Sequence, residues 1–162
     1  MEDAGIHNFN LVTYTSILPR EAEEISFTKA QRYFHHGAVL ECILSEQHGG
    51  RGDRITAGVG RMMVCDKDEG GRPMGGFAVE YEGHAMEDVA EQQLDWALDE
   101  LFARRFDSDS HSKGEKRFAI RSGVVHQAFG TAIAGICFVD YIVPILSTDL
   151  AGGSREQATA VM

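Results

Sequence analysis

The chain has 162 residues, 43% of them hydrophobic and 25% charged, enough for one soluble domain with a core of its own. Asp and Glu outnumber Lys and Arg 25 to 15, for a formal net charge of −10. Phosphate binding needs a basic surface, so the balance argues against nucleic acid and is compatible with a small cationic partner.

Glu2 and Asp3 stand where a secretory leader has its basic and apolar regions, so no leader is expected. The run "NFNLVTYTSILP", Asn8 to Pro19, opens as a strand. Phe9, Leu11 and Thr13 alternate with Asn10, Val12 and Tyr14 at a period of two. It ends on a hydroxyl pair, Thr15 and Ser16, ahead of Ile17, Leu18 and the rigid Pro19. Pro19 to Gly37 is polar and irregular and reads as loop with one short helical turn. Val39 to Leu44 is a β-type run, and "HGGRGD", His48 to Asp53, is a turn. Ile55 to Cys65 is a strand interrupted by Gly58 and Gly60, and "KDEGGRP", Lys67 to Pro73, is a loop.

Phe77, Val79 and Tyr81 then alternate with Ala78, Glu80 and Glu82, and Gly83 ends that strand. From Met86, the residues Val89, Ala90, Leu94, Ala97, Leu98, Leu101 and Phe102 recur at helical spacing. Glu87 and Asp88 near the start of this helix and Arg104 and Arg105 near its end suit its dipole. Asp107 to Lys116 reads as a mobile linker to two last strands, Arg117 to Val125 and Thr131 to Val143. Ala128 to Leu146 is apolar enough to raise a membrane span, but Asp140, Pro144, Gly130 and Gly135 inside it favour a buried strand. The expectation is one α/β domain over residues 1–146, with about six strands and one long helix, and a disordered tail over 147–162.

Several candidate sites fall away on spacing. Gly58-Val59-Gly60 lacks the third glycine and the following helix of a dinucleotide loop. His35 and His36 are adjacent and would point to opposite faces of a strand, so no metal is assigned. Cys42, Cys65 and Cys137 are odd in number and widely spaced, which favours reduced thiols in a cytoplasm. Ser16 has no "GxSxG" around it. Glu80, in mid-strand, either faces water beside Glu82 or sits in a pocket that raises its pKa; on pattern alone the solvated face is favoured.

"GIHNFNLVTYTSILPREAEEI" resembles the cleavage segment of the pyruvoyl-dependent arginine decarboxylases, in which a Gly-Ile-Gly-Asn-x-Asn-Leu run leads to a Ser-Ser or Thr-Ser pair and Ile-x-Pro. "GGFAVEYEG" resembles the second motif of that family, a Glu-Tyr-Glu-Gly run before a helix. The likeness spans about Ala4 to Val143. It implies a layered αββα sandwich of the pyruvoyl-dependent histidine/arginine decarboxylase type, assembled as a homotrimer or a pair of trimers with sites between subunits.

The resemblance further implies self-cleavage between Thr15 and Ser16, with Ser16 becoming a covalent pyruvoyl group, the cofactor. That carbonyl captures the substrate amine and draws electrons from the bond to the carboxylate. Glu80 is then the proton donor, which reverses the preference for a solvated Glu80. Asn10, His7, Phe9 and Ile17 line the substrate site. His7 replaces a usual Gly and Phe9 a smaller residue, so both reshape the pocket. The implied reaction turns L-arginine into agmatine, a polyamine precursor, and carbon dioxide. Family members carry a few tens of residues ahead of the first motif, with a strand and an acidic residue for the guanidinium, whereas this chain starts near the motif. Two rivals remain: a non-catalytic relative that serves as an assembly subunit, and a pyruvoyl decarboxylase of another amino acid.

Overall fold

The computed structural model describes residues 1–140 and 159–161. The strands are β1 (Asn10–Thr13), β2 (Ile17–Leu18), β3 (Glu23–Glu24), β4 (Val39–Gly50), β5 (Arg54–Asp66), β6 (Arg72–Gly83), β7 (His111–Val124), β8 (Phe129–Asp140) and β9 (Thr159–Val161). A short α1 (Phe27–Ala30) runs into a 3₁₀ turn (Gln31–Tyr33), and α2 spans Glu87–Arg105. Two sheets result, in the orders β1-β4-β8-β9-β3 and β2-β6-β5-β7.

The sheets pack face to face. Ile43, Ile136 and Phe138 of the five-stranded sheet meet Leu18, Val59 and Ala78 of the four-stranded one, all at most 7% exposed. The other face of the four-stranded sheet carries α2, where Leu98 and Phe102 bury against Met62, Val64 and Phe77. β5 is therefore covered on both faces, which explains its nearly unbroken apolar run. Its two glycines have a packing role. A Cβ on Gly58 would lie 3.0 Å from the Leu94 side chain, and one on Gly60 would lie 2.9 Å from the Phe118 ring. Their absence of side chains lets α2 settle on the sheet.

The α/β class and the long helix hold. Along α2 the buried positions are Ala90, Leu94, Leu98 and Phe102, one every four residues, while Val89 is 40% exposed. The αββα sandwich implied by the resemblance is complete in only three layers among the described residues. Among the described residues, the outer face of the five-stranded sheet carries the amino-terminal Ala4 and Ile6 together with α1 and its 3₁₀ turn, with Phe27 and Phe34 over Leu40, Leu44 and Cys137.

Several boundaries differ from those expected. The linker expected over Asp107 to Lys116 is half strand, because β7 starts at His111 and pairs with Asp66. Its polar residues alternate with inward ones, and the ion pairs of Lys113 and Lys116 with Asp99 fasten it to α2. The turn expected at His48 shrinks to Arg51–Asp53, since His48 and Gly50 pair with Thr131 and Phe129. β6 starts at Arg72, inside the expected loop. Residues 141–143 of the expected last strand lie outside the described residues. So does most of the tail expected to be disordered, except β9, whose backbone joins β3 to β8. No helix is long and apolar enough to cross a membrane.

Candidate active site

Ser16 lies in the gap between β1 and β2, and tertiary pairing fixes it from both sides. Before it, Tyr14 N–H donates to the Cys42 carbonyl (2.8 Å). After it, Ile17 and Leu18 pair with Phe77 and Gly76 of β6. The Ser16 carbonyl itself accepts from Ala78 N–H at 2.8 Å. The bend between the two strands is closed by Ile17 N–H donating to the Thr15 carbonyl at 2.9 Å, a three-residue γ-turn centred on Ser16. No described residue other than glycine has a positive φ, so the turn is of the common inverse kind. The backbone at Ser16 is therefore fixed by its hydrogen bonds and carries no left-handed strain. What the turn does supply is an N–H donor already placed on the oxygen of the Thr15–Ser16 peptide.

Glu80 arrives on β6 two residues beyond the pairing with Ser16. The alternation along that strand places it: Phe77 packs towards α2, whereas Ala78 packs between the sheets, so Glu80 shares the inter-sheet face of Ala78. The Ser16 hydroxyl donates to the Glu80 carboxylate. Although Glu80 is exposed on the isolated chain, partial burial of its carboxyl pushes its pKa above the usual carboxylate range. The nearby Glu82 charge adds to this, and the Ser16 hydrogen bond opposes it by favouring the ionised form. Glu82 is held apart by the Glu46 N–H, which it accepts at 3.3 Å. On the α2 side of the same stretch of β6 lies a separate groove of about 270 Å³, walled by Glu80, Tyr81, Gln93, Leu94, Trp96 and Ala97.

The remaining candidates separate into two places. Thr15, Ser16, Ile17 and Glu80 come together, with Ile17 57% exposed beside them. His7, Phe9 and Asn10 lie at the opposite end of β1, about 10 Å from its Thr13 end at the usual rise of a strand. There Phe9 packs edge-on against Phe34 with ring centroids 4.8 Å apart, and the Asn10 amide donates to the Gly37 carbonyl at 2.9 Å. His7 is exposed. Sequence reasoning did not single out the Ile17 N–H as part of the site. The only signal for it was the abrupt stop of the alternating pattern at Thr15 ahead of Pro19.

A serine hydroxyl on a carboxyl of raised pKa, at a bend whose turn hydrogen bond falls on the preceding carbonyl, suits proton transfer at a serine. Comparison with known proteins makes this specific. The family model for pyruvoyl-dependent arginine decarboxylase matches residues 1–143, and the chain belongs to that family. Pyruvoyl-dependent arginine decarboxylase AaxB of Chlamydia trachomatis serovar L2 is 40% identical over 85 residues, which are 48% of this chain and 42% of that relative. The AaxB of Chlamydia abortus is 34% identical over 142 residues, covering 78% of this chain and 62% of the relative. Pyruvoyl-dependent arginine decarboxylase 2 of Archaeoglobus fulgidus is 31% identical over 140 residues, covering 86% and 82%. The chain thus spans about half the length of the chlamydial relatives and most of the archaeal one.

Proposed function

We propose that the chain is the precursor of a cytoplasmic pyruvoyl-dependent decarboxylase, that it cuts itself between Thr15 and Ser16, and that it converts L-arginine to agmatine and carbon dioxide. The Ser16–Glu80 hydrogen bond carries this reading, because it joins the residue that would be cut to the residue that would hold the proton. In the uncut chain the Ser16 hydroxyl adds to the Thr15 carbonyl carbon. The Ile17 N–H holds the charge that develops on that oxygen, the role of an oxyanion donor. The peptide C–N bond breaks and the acyl group passes to the Ser16 oxygen as an ester. Elimination then frees the Thr15 carboxylate, and loss of ammonia with uptake of water leaves the Ser16 Cβ as the methyl of a pyruvoyl group.

The residues present fit that group. Position 16 is half-buried at a fixed bend, its Cβ can become the methyl, and a proton-holding carboxyl stands beside it. The pyruvoyl group supplies an electron sink for the bond between the substrate Cα and its carboxylate. Glu80 holds a proton for that Cα and keeps it to higher pH than an exposed carboxyl would. Two measurements on purified protein test the reading. Intact mass should show a Met1–Thr15 piece and a larger piece lacking a free amino terminus. Carbon dioxide release should be faster from arginine than from lysine, histidine or aspartate. If another amino acid wins, the arginine assignment fails. If cleavage is complete and none reacts, the non-catalytic subunit reading replaces this one.

Assembly is the second element of the proposal. Val12 (41% exposed), Tyr14 (39%), Ile17 (57%) and Val39 (61%) form an apolar border along β1, β2 and the start of β4. We infer that copies associate over this border as a trimer or a pair of trimers, so that His7, Phe9 and Asn10 of one copy approach Ser16 of the next. Sedimentation equilibrium should report three or six chains. A monomer that decarboxylates arginine at full rate would remove this part of the reading.

A further inference from the structure

The site uses none of the three cysteines, yet the tertiary structure pairs two that lie far apart in the sequence. In the antiparallel β4–β8 ladder Cys42 stands directly opposite Cys137. Their neighbours Ile43 and Ile136 point into the core between the sheets, so both thiols project on the outer face. The hydrogen-bond pattern says which kind of pair they form. Cys42 gives its carbonyl to Tyr14 N–H of β1, so its backbone groups point away from β8. The pair is therefore the non-hydrogen-bonded type, in which Cα atoms approach to about 4.5 Å and side chains are closest. That spacing lies inside the disulfide range of roughly 4.4–6.8 Å.

We propose that Cys42 and Cys137 form an oxidisable dithiol, a modification site that closes to a reversible intrachain disulfide in the presence of a peroxide or a small disulfide. Cys137 lines a groove of about 190 Å³ between the sheet and the Phe27–Phe34 aromatics, and this groove is the route for the oxidant. Cys42 is fully buried behind it. Facing each other across the ladder, the two thiols also interact, and this interaction lowers the pKa of Cys42 and raises that of Cys137, to which burial adds. With a small disulfide RSSR, one thiolate attacks a sulfur and expels RS⁻. The second thiol then displaces the other RS⁻ and gives Cys42–Cys137 and two RSH. With hydrogen peroxide the pair loses two electrons and two protons, and two waters form. A dithiol reagent reverses it by thiol–disulfide exchange. Because the Cys42 carbonyl also anchors Tyr14, the staple lies directly behind the strand that leads to Ser16.

The test uses the full chain as purified, cut or uncut, since both cysteines lie beyond position 16. The protein is treated with oxidised glutathione or hydrogen peroxide, unfolded, alkylated and mass-mapped. Alkylated thiols should fall from three to one, with Cys65 the one that remains, and a peptide linking Cys42 to Cys137 should appear. Dithiothreitol should restore three. Cys42→Ser and Cys137→Ser should each abolish the linked peptide, while Cys65→Ser leaves it. Three alkylated thiols after oxidant, a stable glutathione adduct at Cys137 without the link, or a bond between two chains would each overturn the proposal.

Discussion

Ser16→Ala should leave a single uncut chain with arginine decarboxylation reduced to background. The substitution removes one oxygen from a half-buried position; the bond from Ala78 N–H to the Ser16 carbonyl, and the pairing of the following Ile17 and Leu18 with Phe77 and Gly76, do not involve the side chain. The fold should therefore survive, and circular dichroism and the sedimentation of the variant should match those of the parent. Two losses follow from the same oxygen. Without it nothing adds to the Thr15 carbonyl, so the ester never forms. Without the ester no carbonyl is created at position 16, and the substrate carboxylate has no electron sink to leave against. Enzymes of this kind supply rate factors of roughly 10⁶ or more, so the loss should be complete within detection. Denaturing mass spectrometry gives the answer directly. Two pieces from Ser16→Ala, or a parent chain that decarboxylates arginine while wholly uncut, would sink the assignment of Ser16.

Glu80→Gln is the second large effect. Gln keeps the shape and a hydrogen bond to the Ser16 hydroxyl but has no proton to give. General acid catalysis contributes a factor of ~10² to 10⁴, and decarboxylation per mature chain should fall by about that much. Activity must be normalised to the pyruvoyl-headed piece, because the Glu80 carboxylate also touches the Ser16 hydroxyl in the uncut chain. The pH profile separates a proton donor from a merely structural residue. Burial and the Glu82 charge raise the Glu80 pKa, so the active, protonated form persists above the usual carboxylate range and is lost as pH rises through the raised value. The parent should show that basic limb, and Glu80→Gln should lack it. Glu82→Gln should cost far less in rate and should shift the limb to lower pH, since it removes a neighbouring negative charge. A Glu80→Gln enzyme with the parent rate, or a Glu82→Gln enzyme that is the more damaged of the two, would return Glu80 to a solvated surface role.

Much of the frame was legible in the residues themselves. The period of two in "GGFAVEYEG" put Phe77 and Val79 on one face and Ala78 and Glu80 on the other, and the packing follows that division. The four-residue recurrence from Ala90 to Phe102 marked the helix and its buried side. These patterns are readable because a strand or a helix exposes its environment at a fixed local period. Strand ends were less legible. β7 begins inside "DSDSHSKGEK", where polar residues suggested a linker, because an outer strand fastened by lysine–aspartate pairs needs no apolar run. The two-residue β2 and β3 are too short to show any period.

The sequence alone determined the class of fold, the long helix, and the Thr15-Ser16 and Glu80 motifs that tie the chain to its family. Only the tertiary structure decided that the Ser16 hydroxyl meets a carboxylate 64 positions later, that Ile17 N–H closes a turn on the Thr15 carbonyl, and that Cys42 faces Cys137. The reason is register. Alternation says which face a side chain takes, but which residue of another strand lies opposite depends on the sliding of whole strands past one another, and that is fixed by the packing of both sheets and α2 together.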